Sequence, residues 1–339
     1  MSWKPFGRSG TLRRAVLLSI IALSASAGIA EARSPGIAEP DFDSKNIHVL
    51  HVRGNVYMLV GDGGNITVQV GEQYVIVVDT GLPQYSDELL ATIRKLSSLP
   101  IMFLGNTTSD ADHTGGNAKL YQAGGALPNA TQGFAREEEK DTSRLKLLPG
   151  ATIVASLNAV NRTEERAGSI TAIGFGQEGF KLYNNEGVIF YQAAKGHTDG
   201  DSIVFFRASD VVAAGDVFTT TSYPVIETSN GGSVAGFIDA LNDLIDILVP
   251  RYGEEGGTYV IPGHGHLSDR ADVVNYRDMV TIIRGRIQEM VKNGMTLDQV
   301  KAAKPTLDYD GIYGSDGGRR FTEIVYHELA KDATQPGHK

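Results

Sequence analysis

The order of apolar and polar positions predicts strands and a helix along the first part of the chain. Short apolar runs that end at a glycine or a polar residue indicate buried strands over residues 56–60, 66–70, 74–78 and 101–104. Gly63, Gly64 and Asn65 separate the first two strands and indicate a hairpin turn. Leucine and isoleucine recur at helical spacing over residues 86–96, which predicts a helix.

A second block of strands follows and leads into helices. Apolar runs predict strands over 188–193, 202–206, 211–214 and 259–261, and an amphipathic helix over 233–248. Residues 272–293 have a helical pattern, and Thr296 with Gln299 forms a capping box that begins a short last helix. Residues 122–166 are less regular and are expected to be exposed helix or loop. The interleaving predicts sheets covered by helices, in an α/β or α+β layered fold.

Composition narrows the chemistry that this fold can carry. The 339 residues allow one large domain or two ordinary ones. There are 31 Lys+Arg against 40 Asp+Glu, a net charge of -9, which argues against nucleic acid or an anionic membrane as a partner. The chain has 8 histidines and no cysteine, so disulfides, thiolate metal sites and thiol catalysis are excluded. Any metal must therefore be held by histidine and carboxylate groups.

The N-terminal segment has the pattern of a secretory signal. Basic residues without an acid precede an apolar run over 15–27, and Ala30-Glu31-Ala32 fits a cleavage site. The run is shorter than the roughly 20 apolar residues of a membrane-spanning helix. Removal of residues 1–32 leaves 27 basic and 39 acidic side chains, since 31 − 4 = 27 and 40 − 1 = 39. We therefore expect an exported, periplasmic protein without an integral membrane segment; Sec and twin-arginine export both stay open.

Four polar clusters directly follow predicted strands, where a rigid scaffold usually presents binding and catalytic residues. Histidine and aspartate in these clusters are ligands that zinc, iron or manganese accepts, and the neighbouring glycines allow sharp turns and close approach. The clusters are Asp110-Ala111-Asp112-His113, Gly196-His197-Thr198-Asp199, Gly215-Asp216 and Pro262-Gly263-His264-Gly265-His266.

In order and spacing, these clusters resemble the metallo-β-lactamase superfamily, and glyoxalase II-like members in particular. The family usually carries H-x-H-x-D-H followed by Gly-Gly, and the resemblance runs from about Val56 to His266. It extends to Asp79-Thr80-Gly81, Asn106-Thr107 and Thr114-Gly115-Gly116-Asn117. It implies an α+β fold, a four-layer αββα sandwich, over residues 51–270. A lead-in over 33–50 precedes this domain, and a helical C-terminal extension over 271–339 follows it.

The resemblance also implies two metal sites that share Asp216. One site would use position 108, Asp110, His197 and Asp216. The other would use Asp112, His113, Asp216 and His264. The chain departs from the family pattern at the first site, where Thr108 and Asp110 replace the first two histidines to give T-x-D-x-D-H. A neutral Thr108 hydroxyl is a poor ligand for a divalent ion.

The implied activity is hydrolysis of an ester, thioester, lactone or amide bond in a small-molecule substrate through a metal-bound water. Asp110 or Asp112 would handle the proton. Zn²⁺ is the expected cofactor, as one ion or two, and iron or manganese stays open because the first site is rich in oxygen. The alternative is a non-catalytic periplasmic ligand-binding pseudoenzyme of the same fold. The oligomeric state stays open.

Other polar residues near the clusters carry weaker expectations. For Asp79, a hydrogen bond to a metal-loop residue and an ordinary turn role both stay open. Asp199 and Asp201 could orient the loop beside His197 or be solvated, and solvation is the expectation. The remaining histidines are expected to be surface residues: His48, His51, His266, His327 and His338.

Overall fold

Two β-sheets lie face to face, and helices cover the outer surface of each. The computed structural model describes residues 46–126, 148–167, 172–177, 179–249 and 257–334. The predicted signal peptide, residues 1–32, lies outside the described residues. In chain order the strands are β1 (His48–Arg53), β2 (Val56–Val60), β3 (Ile66–Val70), β4 (Val75–Val78), β5 (Ile101–Gly105), β6 (Gly125–Ala126), β7 (Leu148–Pro149), β8 (Thr152–Ser156), β9 (Ala172–Phe175), β10 (Phe180–Tyr183), β11 (Gly187–Gln192), β12 (Ser202–Phe206), β13 (Val211–Thr219) and β14 (Tyr259–His264).

The first four helices lie among the strands of the first sheet in sequence, the fifth precedes the last strand, and the others follow that strand. In chain order the helices are α1 (Ser86–Leu96), α2 (Ala111–Thr114), α3 (Asn117–Ala123), α4 (Leu157–Ala167), α5 (Val234–Ile247), α6 (Arg270–Lys292), α7 (Leu297–Ala302), α8 (Asp310–Tyr313) and α9 (Ser315–Thr334). In the part of the chain that the structure describes, none of them is long and apolar enough to cross a membrane.

The first sheet has the strand order β1-β2-β3-β4-β5-β8-β9, and the second has β10-β11-β12-β13-β14. In the first sheet, β1 to β4 pair antiparallel and β4, β5, β8 and β9 pair parallel. In the second sheet only β13 and β14 are parallel. The carboxyl ends of parallel neighbours lie at the same edge, so the loops after them meet there.

Side chains along each buried strand point alternately to the two faces of the sheet, so they pack into different layers. In β4, Val75 and Val77 pack toward α1 and α3, whereas Ile76 and Val78 pack between the sheets. Every residue of this strand is buried, as expected for a strand covered on both faces. The outer face of the second sheet packs on α5, α6 and α9. This arrangement is the predicted α+β fold, a four-layer αββα sandwich with helices after its last strand.

Most predicted elements agree with the structure, including the capping box of Thr296 and Gln299 at the start of α7. Two expectations were wrong. The region 122–166 contains the fully buried strand β8 and the helix α4, rather than exposed helix or loop alone. The helix begun by Thr296 is not the last one, because the 20-residue α9 follows it. Strand β1 begins at His48 and pairs with β2, so the first sheet begins within the predicted lead-in over 33–50, and the domain bounds stay a prediction.

Candidate metal centre

Asp112, His113 and His264 bring one ligand atom each within 4.8 Å of one another, and we call them the His113 group. Asp112 and His113 lie in α2, which follows β5, and His264 is the last residue of β14. His264 Nε2 is 3.3 Å from Asp112 Oδ2 and 3.5 Å from Asp216 Oδ1. His113 Nε2 is 3.3 Å from the same Asp216 oxygen. Loops from both sheets therefore direct these donors to one point.

The donors of the His113 group fit a divalent metal ion. His113 is fully buried, yet its Nε2 has no hydrogen-bond partner among the described residues. Buried polar atoms are normally paired, so an orphaned imidazole nitrogen that faces carboxylates needs an explanation. Two imidazoles and nearby carboxylates are the donor set that zinc and similar ions accept. A cation between these atoms would satisfy all of them at once.

Asp79 fixes the orientation of His113. The carboxylate accepts a hydrogen bond from His113 Nδ1 at 2.9 Å, from the Thr107 backbone N–H at 2.8 Å and from Thr107 Oγ1 at 2.6 Å. Because Nδ1 donates to Asp79, Nε2 is the nitrogen that a metal ion would bind once the ring has lost its second proton. Asp79 also has φ of 63°, a conformation that is strained for a residue with a side chain. Of the two interpretations left open by the sequence, the hydrogen bond to a metal-loop residue is the one observed.

The β2–β3 hairpin turn lies against both metal-loop motifs. The Gly64 N–H donates to the Asp112 carbonyl at 3.1 Å, and the Asn65 N–H donates to the Gly263 carbonyl at 2.8 Å. A side chain at Gly64 would collide with the His113 ring, since its Cβ would lie 2.5 Å from His113 Cε1. The glycine therefore lets the turn cover the imidazole closely.

A second set, Asp110, His197 and Glu227, also brings its ligand atoms within 4.8 Å of one another, and we call it the His197 group. His197 Nε2 is 3.4 Å from Asp110 Oδ2, and Nδ1 is 3.9 Å from Asp216 Oδ2. Asp216 thus lies between the two groups, with one oxygen toward each. The six residues predicted as ligands, Asp110, Asp112, His113, His197, Asp216 and His264, are all brought together in this region.

Asp201 contacts the other side of the His197 ring. Its Oδ1 is 3.4 Å from His197 Nδ1, and it accepts hydrogen bonds from the Thr198 N–H and hydroxyl. Only 1% of Asp201 is exposed, so the expectation that it is solvated was wrong. Asp199, expected to be solvated, accepts instead from Arg162 and is partly buried. His266 is exposed, in agreement with the sequence.

Glu227 is the residue of this region that the sequence did not indicate. It follows β13 in a loop without a strand-end histidine or a glycine beside it, so no motif marks it. Thr108, where the resemblance expects a histidine, is fully buried, and its Oγ1 has no hydrogen-bond partner among the described residues.

The carboxylates and imidazoles shift one another's protonation strongly. Burial opposes the charged form of His197, but Asp110, Asp201 and Asp216 outweigh it and raise the pKa of His197 to about 11. Against a similar burial cost, Asp216 and Asp79 hold the pKa of His113 well above its usual value. Burial would raise the pKa of Asp216, but the surrounding imidazoles keep it well below its usual range. The contact with His264 lowers the pKa of Asp112. The site is therefore strongly negative and selects for cations.

A polar cleft of about 440 Å³ gives access to this region. The carboxylates of both groups reach it, because Asp110, Asp112 and Glu227 all line its wall. Arg162 and Asn230 line the same cleft. A small molecule in the cleft would lie directly against the proposed ligands.

Comparisons with known proteins identify the fold. The sequence matches the family described as the metallo-beta-lactamase superfamily over residues 59–274. The structure is similar to the DIM-1 metallo-beta-lactamase, with a TM-score of 0.52 and 16% identity over 70% of this chain and 99% of that one. A metallo-beta-lactamase from Pontibacter korlensis gives a TM-score of 0.51 and 15% identity over 69% and 99%. No curated protein matches the sequence. The family match covers more than half of the chain, which therefore belongs to the metallo-β-lactamase superfamily.

Proposed function

We propose that the protein is a metal-dependent hydrolase that cleaves an ester, thioester, lactone or amide bond in a small molecule. The observation that carries this proposal is the convergence of His113 Nε2, His264 Nε2 and the carboxylates of Asp112 and Asp216 within 3.3–3.5 Å contacts. The family suggests hydrolysis, and the donor set suits a divalent ion, with Zn²⁺ as the first candidate and iron or manganese as further ones.

Asp112, His113, Asp216 and His264 would hold the cation, which when bound would supply Lewis acidity and lower the pKa of water. Asp112 suits a ligand role because its lowered pKa keeps the carboxylate ionised. Asp216 is ionised for the same reason, and its two oxygens face different groups. These residues would therefore position a bound cation beside the cleft that Asp110 and Asp112 line.

Proton transfer is assigned to the carboxylates on the wall of the cleft. Asp110 and Asp112 line it, and their side chains are 25% and 35% exposed, so each has an oxygen within reach of a substrate there. Asp79 does not reach the cleft wall. It holds the proton on His113 Nδ1 and so keeps the ring in the tautomer that binds metal.

Metal analysis together with a substrate panel tests the proposal. We expect at least about one divalent ion per chain in protein purified from zinc- and iron-replete medium. We also expect hydrolysis of an ester, a thioester, a lactone or a lactam. Asp112→Ala and Asp216→Ala should each lower the rate by about 1,000-fold, because several kcal/mol of transition-state stabilisation depend on the ion.

The exposed Glu289, which pairs with Lys292, provides a control as Glu289→Gln and should retain full activity. Metal-free protein would overturn the proposal. Equal trace hydrolysis in the wild type and in both aspartate variants would indicate a contaminant and support the non-catalytic alternative.

A further inference from the structure

Thr108 occupies the position of the first histidine in the family motif. The first metal site therefore lacks the imidazole of that histidine. The hydroxyl is fully buried and cannot provide a charge to balance a divalent ion. Asp110 and His197 remain, with Asp110 Oδ2 3.4 Å from His197 Nε2. Asp110, His197 and the shared Asp216 give three protein donors, the lower end of the three or four that tightly held ions usually take.

We propose that Glu227 restores this site as its third dedicated ligand, so that Asp110, His197 and Glu227 hold a second metal ion. The inference rests on the proposed function and extends it to the number and kind of ions bound. Its geometric basis is that ligand atoms of all three side chains lie within 4.8 Å of one another. His197 has only 1% of its surface exposed, which distinguishes the group from a cluster of surface acids.

Main-chain hydrogen bonds join the segment that contains Glu227 to the segment that contains His197. The Glu227 N–H donates to the His197 carbonyl at 2.9 Å, and the Asp199 N–H donates to the Asn230 carbonyl at 3.0 Å. A side chain at Gly232 would lie 2.1 Å from the His197 carbonyl, so glycine permits this close approach. The position of Glu227 relative to His197 is therefore set by main-chain contacts.

The Glu227 side chain is held as well. The Asn230 side-chain amide donates to Oε2 of Glu227. Asn230 is in turn held through its carbonyl, which accepts from Arg162 Nη2 at 3.0 Å. Arg162 also pairs with Asp199 through the same nitrogen. The amide contact fixes the Glu227 carboxylate in the position from which one of its oxygens joins the group.

The number of carboxylates also favours cations at both groups. Asp110, Asp112, Asp216 and Glu227 lie around the three imidazoles, and Asp79 and Asp201 contact His113 and His197 as well. The His113 group has two imidazoles and one carboxylate, whereas the His197 group has one imidazole and two carboxylates. Oxygen-rich donors favour harder ions, so the His197 group should accept Mn²⁺ relatively better than the His113 group does.

The test is equilibrium dialysis of chelator-treated protein against Zn²⁺, and separately against Mn²⁺, with bound metal measured by mass spectrometry. We expect about two ions per chain in the wild type and about one in Glu227→Gln. Glutamine still accepts the Asn230 hydrogen bond, so the variant removes a charged ligand without removing that contact. Binding of the second ion should weaken by at least about 10–100-fold, the loss that even an outer-shell change causes. Glu227→Ala should show the same loss, and the surface control Glu289→Gln should bind two.

The outcomes separate this inference from the proposed function. One ion in the wild type and one in Glu227→Gln would overturn the role of Glu227 and leave the hydrolase proposal intact. Two ions in both proteins would overturn it as well. No ion in the wild type would overturn the hydrolase proposal and this inference together. Melting curves of the metal-free variants should coincide with the wild type, which excludes misfolding as the cause of a lost ion.

Discussion

The His113 group and the His197 group lie on opposite sides of Asp216. Both take a carboxylate from the segment after β5, Asp112 in the first group and Asp110 in the second, and both carboxylates line the cleft. The groups differ in their other members, because His264 ends β14 and Asp79 fixes the buried His113, whereas Glu227 lies in the loop after β13.

The two groups therefore differ in how precisely their ligands are placed and in how readily a ligand can be replaced. Strand ends are held by ladders of hydrogen bonds, so the His113 group has little freedom to change its donors. Loops tolerate substitutions, so a carboxylate can enter the His197 group from outside the motif when a motif residue is lost. In the proposed two-ion site, the first group provides rigidity, and the second decides which metal enters and what substrate it meets.

Of the variants that test this comparison, Asp79→Asn is expected to have the largest effect. Asp79 accepts hydrogen bonds from His113 and Thr107 with its two carboxylate oxygens. In Asp79→Asn only one side-chain oxygen remains to accept, so the tautomer of His113 is no longer fixed. Affinity of the His113 group for zinc should fall by about 10–100-fold. Competition with a chromogenic chelator measures this change.

Asn tolerates a positive φ about as well as Asp does, so the backbone at residue 79 should be retained. Exposed Asp278 serves as a control in Asp278→Asn, where zinc affinity should not change. Unchanged zinc affinity in Asp79→Asn would show that His113 does not bind the metal.

A smaller effect is expected from Asp201, which contacts His197 at the longer distance of 3.4 Å. Asp201→Asn should weaken only the second ion, by about 10-fold, the lower end of outer-shell effects. Isothermal titration of chelator-treated protein with Mn²⁺ and Zn²⁺ would resolve the two ions. A loss that falls on the tighter ion would contradict the assignment of Asp201 to the His197 group.

The smallest effect concerns pH in the metal-free protein. The pKa of His197 is raised to about 11, above the value of about 6.5 for an unfolded chain. Stability from its contacts with carboxylates is therefore fully present below about pH 6.5 and is lost as the pH rises toward 11. The melting temperature of chelator-treated protein should fall between pH 7 and pH 9, by about 2–4 °C for each kcal/mol lost.

The metal-loaded protein should respond in the opposite direction. Metal binding displaces the imidazole protons, so zinc affinity and the added stability should rise with pH over the same range. Scanning calorimetry with and without zinc compares the two. A chelator-treated His197→Gln variant whose melting temperature falls just as steeply would contradict the role of this histidine.

The strands near the site could be predicted from sequence because each is a short apolar run with a clear end. Residues 75–78 are buried on both faces, and the polar Asp79 follows at once, so the pattern has one plausible interpretation. The six candidate ligands could be named because each lies in a polar cluster after a predicted apolar run, and their assignment as ligands stays a prediction. Asp216 lies inside β13, because this strand continues to Thr219 beyond the predicted end at residue 214. For α9 a signal existed in the spacing of Phe321, Val325 and Leu329, but glycines at its start obscure it.

Glu227 and Asp201 could not be predicted for a physical reason. Their contacts with His197 depend on how the loops pack in three dimensions. The pattern of apolar and polar residues along the sequence carries no information on this packing. The Glu227 N–H reaches the His197 carbonyl across 30 residues of sequence, since 227 − 197 = 30. Asp201 is close in sequence, yet only the folded loop buries it against the ring. An isolated acid in a loop is usually solvated, and that expectation was wrong for Asp201.

The contact between the β2–β3 turn and strand β14 joins two parts of the chain that are synthesised far apart in time. The Asn65 side-chain amide donates to the Pro262 carbonyl over a sequence separation of 197 residues. Contacts between residues so far apart in sequence form slowly, because the chain loses the entropy of closing a long loop before any stabilising interaction forms. During synthesis, the His113 group is incomplete until the last strand has emerged and docked. We therefore expect metal uptake to report completion of folding rather than to guide its early steps.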